Sequence, residues 1–535
     1  MSQRSGPPLR SISSGFKNQQ RAVKADKNGR AKVINNRIIE LGKAGKWKEM
    51  LILYKEQKQD FDAVNYSTMM CRLWRIRQMR TDDPLFERFL KELSLTLHER
   101  GIKWLGTSPR RLASIIHAIA KKKLSSKGHS STMNIFRLME DDKTAIWLFE
   151  EGTQKDIANI IWACATLGVE SPNLFRWLEH RGEWLFKNGN PQDVANCVWA
   201  CGKLEIVSPN IFRLLDQHGA WLLEHGTPQD VSNCAWACGK LEIESPNLFR
   251  SLDERAEWLF DNGSPQAIAN CVWAFAKVGV NAPNLLRLLD VLAEWLVDSG
   301  MPRNVANCVW ACAKLEIESP NLFRLLDESA AWLVDNANPQ EVSNCVLACG
   351  KLGYMASNLF RLLDESAVWL FENGNPQDIA NCVWAFAKVG VNAPNLLRLL
   401  DVRAEWLVDK GTPQNVANCV WACAKLEIES PNLFRLLDER AAWLVDNANP
   451  QEVSNCVWAC GKHGYKASNL FRLLDERADW VFEHGNPQDI ADSVRAFGIL
   501  GLESPNLIRL LNAHLSHPAH NCTNMTHGLS AILHH

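Results

Sequence analysis

The chain repeats itself every 37 residues. The stretch NPQDVANCVWACGKLEIVSPNIFRLLDQHGAWLLEHG, from Asn190 to Gly226, recurs in ten registered copies. Their first helices open at Gln154, Pro191, Pro228, Pro265, Pro302, Pro339, Pro376, Pro413, Pro450 and Pro487, with no slip. A fixed period of about 20–50 residues marks a solenoid or a propeller and takes precedence over any local pattern. Residues 265–351 return nearly verbatim at 376–462, three units on, as a segmental duplication would leave them.

Each unit predicts two helices. Asn190-Pro191-Gln192-Asp193 combines a capping residue, proline at the first helical position and an acid in the first turn, so a helix runs to about Lys203. Ser208-Pro209-Asn210 opens a second helix, and Gly226 is placed to end it. Strict alternation and β-branched residues are too scarce for a propeller blade. A lone helix pair cannot bury its apolar face, so neighbours must stack. The predicted fold is all-α: a right-handed α-solenoid of 37-residue helix-turn-helix repeats.

A helical wheel divides the first helix in two. Val194, Cys197, Val198 and Cys201 form a small apolar face that should meet the core. Gln192, Asn196, Trp199 and Lys203 fall on the opposite side. The amide positions recur as Gln229, Asn233, Gln266, Asn270, Asn307, Asn344, Asn381, Asn418 and Asn455. The cation recurs as Lys240, Lys277, Lys314, Lys351, Lys388, Lys425 and Lys462. Stacked repeats would turn this stripe into ladders of amide, aromatic ring and ammonium. For the asparagines two readings stand: an internal network between repeats, or donors and acceptors presented to a ligand along a groove. The stripe tryptophans can pack on small neighbours such as Ala195 and Gly202, or stack on bases.

The near-neutral net charge conceals a split. Residues 1–130 carry 28 Lys+Arg against 11 Asp+Glu, and the remainder 31 against 49. The first 25 residues hold Arg4, Arg10, Lys17, Arg21 and Lys24 and no acid, the composition of an organellar transit peptide or of a disordered basic terminus. The expected organisation is a disordered basic N-terminus over 1–30, degenerate helical repeats over 31–150, the array over 151–514 and a disordered His-containing tail over 515–535. Lys121–Lys123 reads as a solvated loop. No apolar run approaches a membrane span.

Cysteines such as Cys197 and Cys201 sit four apart on a helix, yet the second is replaced by Phe275 and Phe386 in two copies and the first by Ile160 in another. Phenylalanine can fill a core but cannot ligate, so these are buried hydrophobes in a reducing compartment. The second-helix tryptophans, such as Trp184, Trp221 and Trp406, read as interface or core residues. No phosphate-binding loop, nucleophile elbow or catalytic grouping occurs, so neither an enzyme nor a cofactor, metal or small-molecule site is expected.

Two resemblances follow from these motifs. Residues 33–70, chiefly Leu41-Gly42-Lys43-Ala44-Gly45-Lys46-Trp47 and the amphipathic segment after it, resemble a pentatricopeptide repeat. The array over 154–514 resembles the octotricopeptide repeat group, relatives of proteins with FAST-kinase-like regions and RAP domains, through the recurring PQ-V-N-W-A helix and the EWL of the second helix. That resemblance implies binding of single-stranded RNA in a mitochondrion or plastid, with a role in RNA processing, stability or translation. Its RNA-facing positions would be the Gln, Asn and Lys of the first-helix stripe. Protein partners also fit, and the acidic balance of the array suits an armadillo-like scaffold holding a basic peptide.

Overall fold

The structure, a computed structural model, describes residues 12–124 and 130–516. Every regular element among them is a helix. The N-terminal segment expected to be disordered is helical from Ile12, where a helix running to Lys43 begins; residues 1–11 lie outside the described residues, as does the expected tail from 517 onward.

The chain forms two compact units, Met1–Arg255 and Ala256–His535. Each is an all-α solenoid in which helices of one repeat pack on their counterparts in the next. In the first unit Pro191–Lys203 packs beside Pro228–Leu241, and in the second Pro376–Val389 beside Pro413–Leu426. Second helices form their own layer, as where Pro394–Val402 packs on Pro431–Glu439.

Local chemistry starts each first helix where expected. Asn190 Oδ1 accepts from the backbone N–H of Asp193 at 2.9 Å, and the Asp193 carboxylate accepts from the Asn190 N–H, a capping box that recurs along the array. Val194, Cys197, Val198 and Cys201 are all fully buried. The first helices approach so closely that a Cβ on Gly350 would lie 2.8 Å from the Cα of Ala385. That register accordingly holds only glycine or alanine: Gly202, Ala313, Gly350, Ala387, Ala424 and Gly461.

In the repeats opening at Gln154 through Pro450 the second helix departs from the expected single rod, giving three helical segments, whereas the last repeat keeps two, Pro487–Leu500 and Pro505–Ser516. Pro209–Gln217 and Gly219–His225 are separated by His218, at φ −103° and ψ 15°. The path bends without losing its hydrogen bonds: His218 N–H donates to Leu214 at 2.9 Å, and His218 C=O accepts from Leu222 at 3.0 Å. The bend falls where the next repeat presses in, since a Cβ on Gly219 would meet the Cα of Leu248 at 2.9 Å.

These second helices also start differently from the first. The Ser208 side chain makes no capping hydrogen bond to its own helix. Its hydroxyl donates to Glu179 of the preceding repeat, whose other carboxylate oxygen accepts from the Asn210 N–H at 2.8 Å. Elsewhere the acceptor is an aspartate, as Asp216 is for Asn247. A carboxylate at a helix N-terminus satisfies orphan N–H groups and opposes the helix dipole. Here that cap also fastens one repeat to the next.

In the N-terminal region the hairpin expected over 33–70 is formed by Ile12–Lys43 and Trp47–Gln57, turned by Gly45 at φ 71°. Arg110–Lys121 then packs on Gln154–Leu167 as first helices pack on each other. The array register therefore begins one unit earlier than Gln154, at Pro109.

Candidate functional site

The first-helix stripe lies opposite the fully buried face in both units. Gln192, Gln229 and Gln266 are exposed. Asn196, Asn233, Asn270, Asn307, Asn344, Asn418 and Asn455 are half-buried, while Asn381 is buried. Lys203, Lys240, Lys314, Lys351, Lys388, Lys425 and Lys462 are exposed, and Lys277 is half-buried. Apart from Asn381, these residues keep some exposure because the opposite face is committed to Cys, Val and Ala packing.

Stacking brings the rings together. Trp384 and Trp421 lie 6.5 Å apart between ring centroids, and Trp421 and Trp458 6.4 Å, with interplanar angles of 31° and 28°. In the first unit Trp199 and Trp236 repeat this geometry at 6.4 Å. The rings are half-buried, so each packs on its neighbours and still offers an edge to solvent. Lys388 Nζ stands 5.3 Å from the Trp384 centroid and 5.6 Å from that of Trp421, within cation–π range of both.

The amides are partly engaged with one another. Gln229 Nε2 donates to Asn233 Oδ1 at 2.8 Å, and Gln377 Nε2 to Asn381 Oδ1 at 2.8 Å. Gln377 Oε1 in turn accepts from Asn415 of the next repeat at 2.8 Å, so at that junction an amide chain crosses the repeat boundary. These contacts leave amide groups with further donor and acceptor capacity on the same face.

The ladder extends beyond the residues that the sequence singled out. His117 lies as far from Pro109 as Trp199 lies from Pro191, and Lys121 matches Lys203 in the same way. His117 meets Trp74 at 5.8 Å on one side and Trp162 at 5.3 Å on the other. Lys121 closes the helix Arg110–Lys121 rather than lying in a loop, and its ammonium stands 4.5 Å from the Trp162 centroid. Burial, with Lys121 and Arg75 adding to it, holds the His117 imidazole below its ordinary pKa. The signal was present, but only in the Pro109 register.

The second tryptophan set is half-buried rather than core, and some of its members rest on an aromatic ring of the preceding repeat, as Trp406 does on Phe371 at 6.2 Å. The cysteines of the repeats are buried free thiols, and burial pushes Cys201 and Cys423 up to about 12. Thiols so far from ionising are poor nucleophiles and poor ligands. Among the described residues no three His, Cys, Asp or Glu side chains gather as a metal site, and no helix is long and apolar enough to cross a membrane.

Comparison with known proteins places this architecture. No curated protein matches the sequence. Among solved structures, a chain of the "Homology model of the full-length AP-3 complex in an intermediate open conformation" aligns over 94% of this chain and 92% of its own, at 12% identity and a TM-score of 0.32, a likeness too low to carry an argument. A family model matches twice in succession, over residues 108–298 and 293–484, starting at the unit that the helix packing identifies as the first of the register. The model is that of an RNA-associated helical-repeat family, and it carries a different name from the octotricopeptide group. Since these matches cover more than half of the sequence, the chain belongs to the family described as RESC6, RNA-editing substrate-binding complex 6 protein.

Proposed function

We propose that this chain is a non-catalytic, modular binder of single-stranded RNA that holds RNA substrate within an assembly of other proteins. The observation that carries this reading is the ring-and-ammonium ladder on the first-helix face, within the span matched by an RNA-editing substrate-binding family. Half-exposed tryptophans offer π-surface to unpaired bases, and the lysines in register offer cations to phosphates. The Asn and Gln amides of the stripe are the groups able to discriminate base edges. The basic region 1–130 supplies further, salt-dependent attraction. Its acid-free first 25 residues suit import into a mitochondrion, where the chain would act in RNA processing.

The excess of acids beyond residue 130 favours a second reading, a scaffold for a basic peptide. The test is binding of the full chain to a random single-stranded RNA pool at two salt concentrations, with a lysine-rich peptide as competitor. Enrichment of a short RNA motif, with affinity falling as salt rises, supports the RNA reading. Absence of RNA binding together with capture of the peptide supports the scaffold.

A further inference from the structure

The turn that closes each first helix adopts a left-handed conformation, and two residue types fill it. Glycine stands there at Gly168, Gly279, Gly353 and Gly390, with φ between 66° and 76°. Glutamate stands there at Glu205, Glu242, Glu316 and Glu427, with φ between 53° and 57°. A β-carbon is disfavoured in this region, and glutamate lacks the short local hydrogen bond that lets Asn or Asp visit it. Four glutamates in one strained register call for a reason outside the turn itself.

At Glu205 and Glu427 the reason lies on the next repeat, whereas Glu316 makes no ion pair with Lys351. Glu205 Oε1 is 2.8 Å from Lys240 Nζ, and Glu427 Oε1 is 3.3 Å from Lys462 Nζ. The turn of one repeat thus reaches the stripe lysine of its successor. Lys388, which follows Gly353 in the same register, rests over Trp384 and Trp421, while Lys462 holds Glu427 and also stands 5.9 Å from the Trp458 centroid. Lys203, Lys314 and Lys425 likewise follow Gly168, Gly279 and Gly390. Exposed ion pairs add little stability, so the visible consequence of the glutamate is local: it cancels the cation that its neighbour would present.

We propose that this turn residue modulates whether the first-helix face offers a cation to an RNA phosphate, glycine leaving the next lysine open and glutamate closing it where its carboxylate reaches that lysine, as at Glu205 and Glu427. The proposal rests on the RNA-binding reading above. It makes Lys203, Lys314, Lys388 and Lys425 the phosphate-binding positions, and Lys240 and Lys462 silent ones. The charged face is therefore discontinuous, with a spacing written in the turns.

The test uses the full chain and a 20-nucleotide uridine RNA, with affinity measured by fluorescence anisotropy over a salt series. Glu427→Gly, which frees Lys462, should steepen the slope of log affinity against log salt by about 0.7, the value for one added single-strand phosphate contact. Gly390→Glu should flatten it by about 0.7, as should Lys425→Gln, and the double variant should lose no more than either alone. Over a tenfold salt range each change is about fivefold in affinity ratio. Glu372→Gln, which neutralises an exposed acid on a second helix, should leave the slope unchanged. Should Gly390→Glu fail to fold, Glu427→Gly and Lys425→Gln still decide the matter. A wild-type chain that binds with a salt slope indifferent to these exchanges, or equally responsive to Glu372→Gln, overturns the proposal and leaves RNA binding standing. A wild-type chain with no affinity for RNA overturns both.

Discussion

Asp401 fastens one repeat to the next through Asn432. Its Oδ1 accepts the backbone N–H of Asn432 at 2.9 Å, and its Oδ2 accepts the Asn432 side-chain amide at 2.9 Å. The same Oδ1 accepts from Ser430 at 2.8 Å, so one carboxylate caps a helix that its own serine leaves uncapped. Asp401→Ala should therefore destabilise the second unit by about 1–3 kcal/mol, the range for losing a charged hydrogen-bonded cap. Hydrogen exchange should show the amides of 432 and 433 losing protection first. Unchanged protection there would mean that the cap contributes nothing to the junction.

The buried thiols make the fold sensitive to alkali. Fifteen of the described cysteines are buried, and burial holds Cys164, Cys238 and Cys312 at about 12. In the unfolded chain a thiol ionises near about 8.5. Between these values the unfolded chain binds fewer protons than the folded one. Stability is therefore intact below pH about 8.5 and falls as pH rises beyond it, by up to about 1.4 kcal/mol per pH unit for each thiol. Urea titrations at pH 7, 8, 9 and 10 should show midpoints dropping ever more steeply. A midpoint constant to pH 10 would contradict the burial of these groups.

An acid-sensitive clasp holds the N-terminal hairpins. Glu92 accepts from Tyr54 at 2.6 Å, from Lys58 at 3.0 Å and from Arg88 at 3.0 Å. Partial burial pushes its carboxyl up, but these three donors outweigh burial and bring it to about 2. A depressed carboxylate stabilises the fold above its unfolded pKa of about 4.3, and that contribution disappears as pH falls through the folded value. Glu92→Gln should loosen the packing of Trp47–Gln57 on Pro84–Arg100 at pH 7, by about 1–2 kcal/mol. Its difference from wild type should narrow steadily between pH about 4 and 2. Equal exchange protection in both proteins at pH 7 would argue against the clasp.

Much of this architecture is legible in the residues because local and global requirements coincide. The 37-residue period, the Asn190–Asp193 cap and the Val194/Cys197/Val198/Cys201 face each act within one helix, where spacing alone fixes geometry. Relationships that cross the repeat boundary are harder to read. Asp401 and Asn432 are 31 residues apart, and only packing reveals that they meet, although both recur at the repeat period. The bend at His218 answers a backbone contact from the following repeat, which no propensity encodes. His117 and Lys121 were hidden because Pro109 falls outside the regular count from Gln154. At Glu205 the break after Lys203 is legible but the left-handed conformation is not, since glutamate rarely accepts a positive φ.

The measurement that most directly tests the central claim is photo-crosslinking of the full chain to 4-thiouridine-substituted single-stranded RNA, with the crosslinked peptides identified by mass spectrometry. RNA binding along the stripe predicts crosslinks within Pro191–Lys203, Pro376–Val389, Pro413–Leu426 and Pro450–His463, centred on Trp199, Trp384, Trp421 and Trp458. Crosslinks confined to second helices such as Pro394–Val402 and Pro431–Glu439, or to residues 1–108 alone, would contradict it.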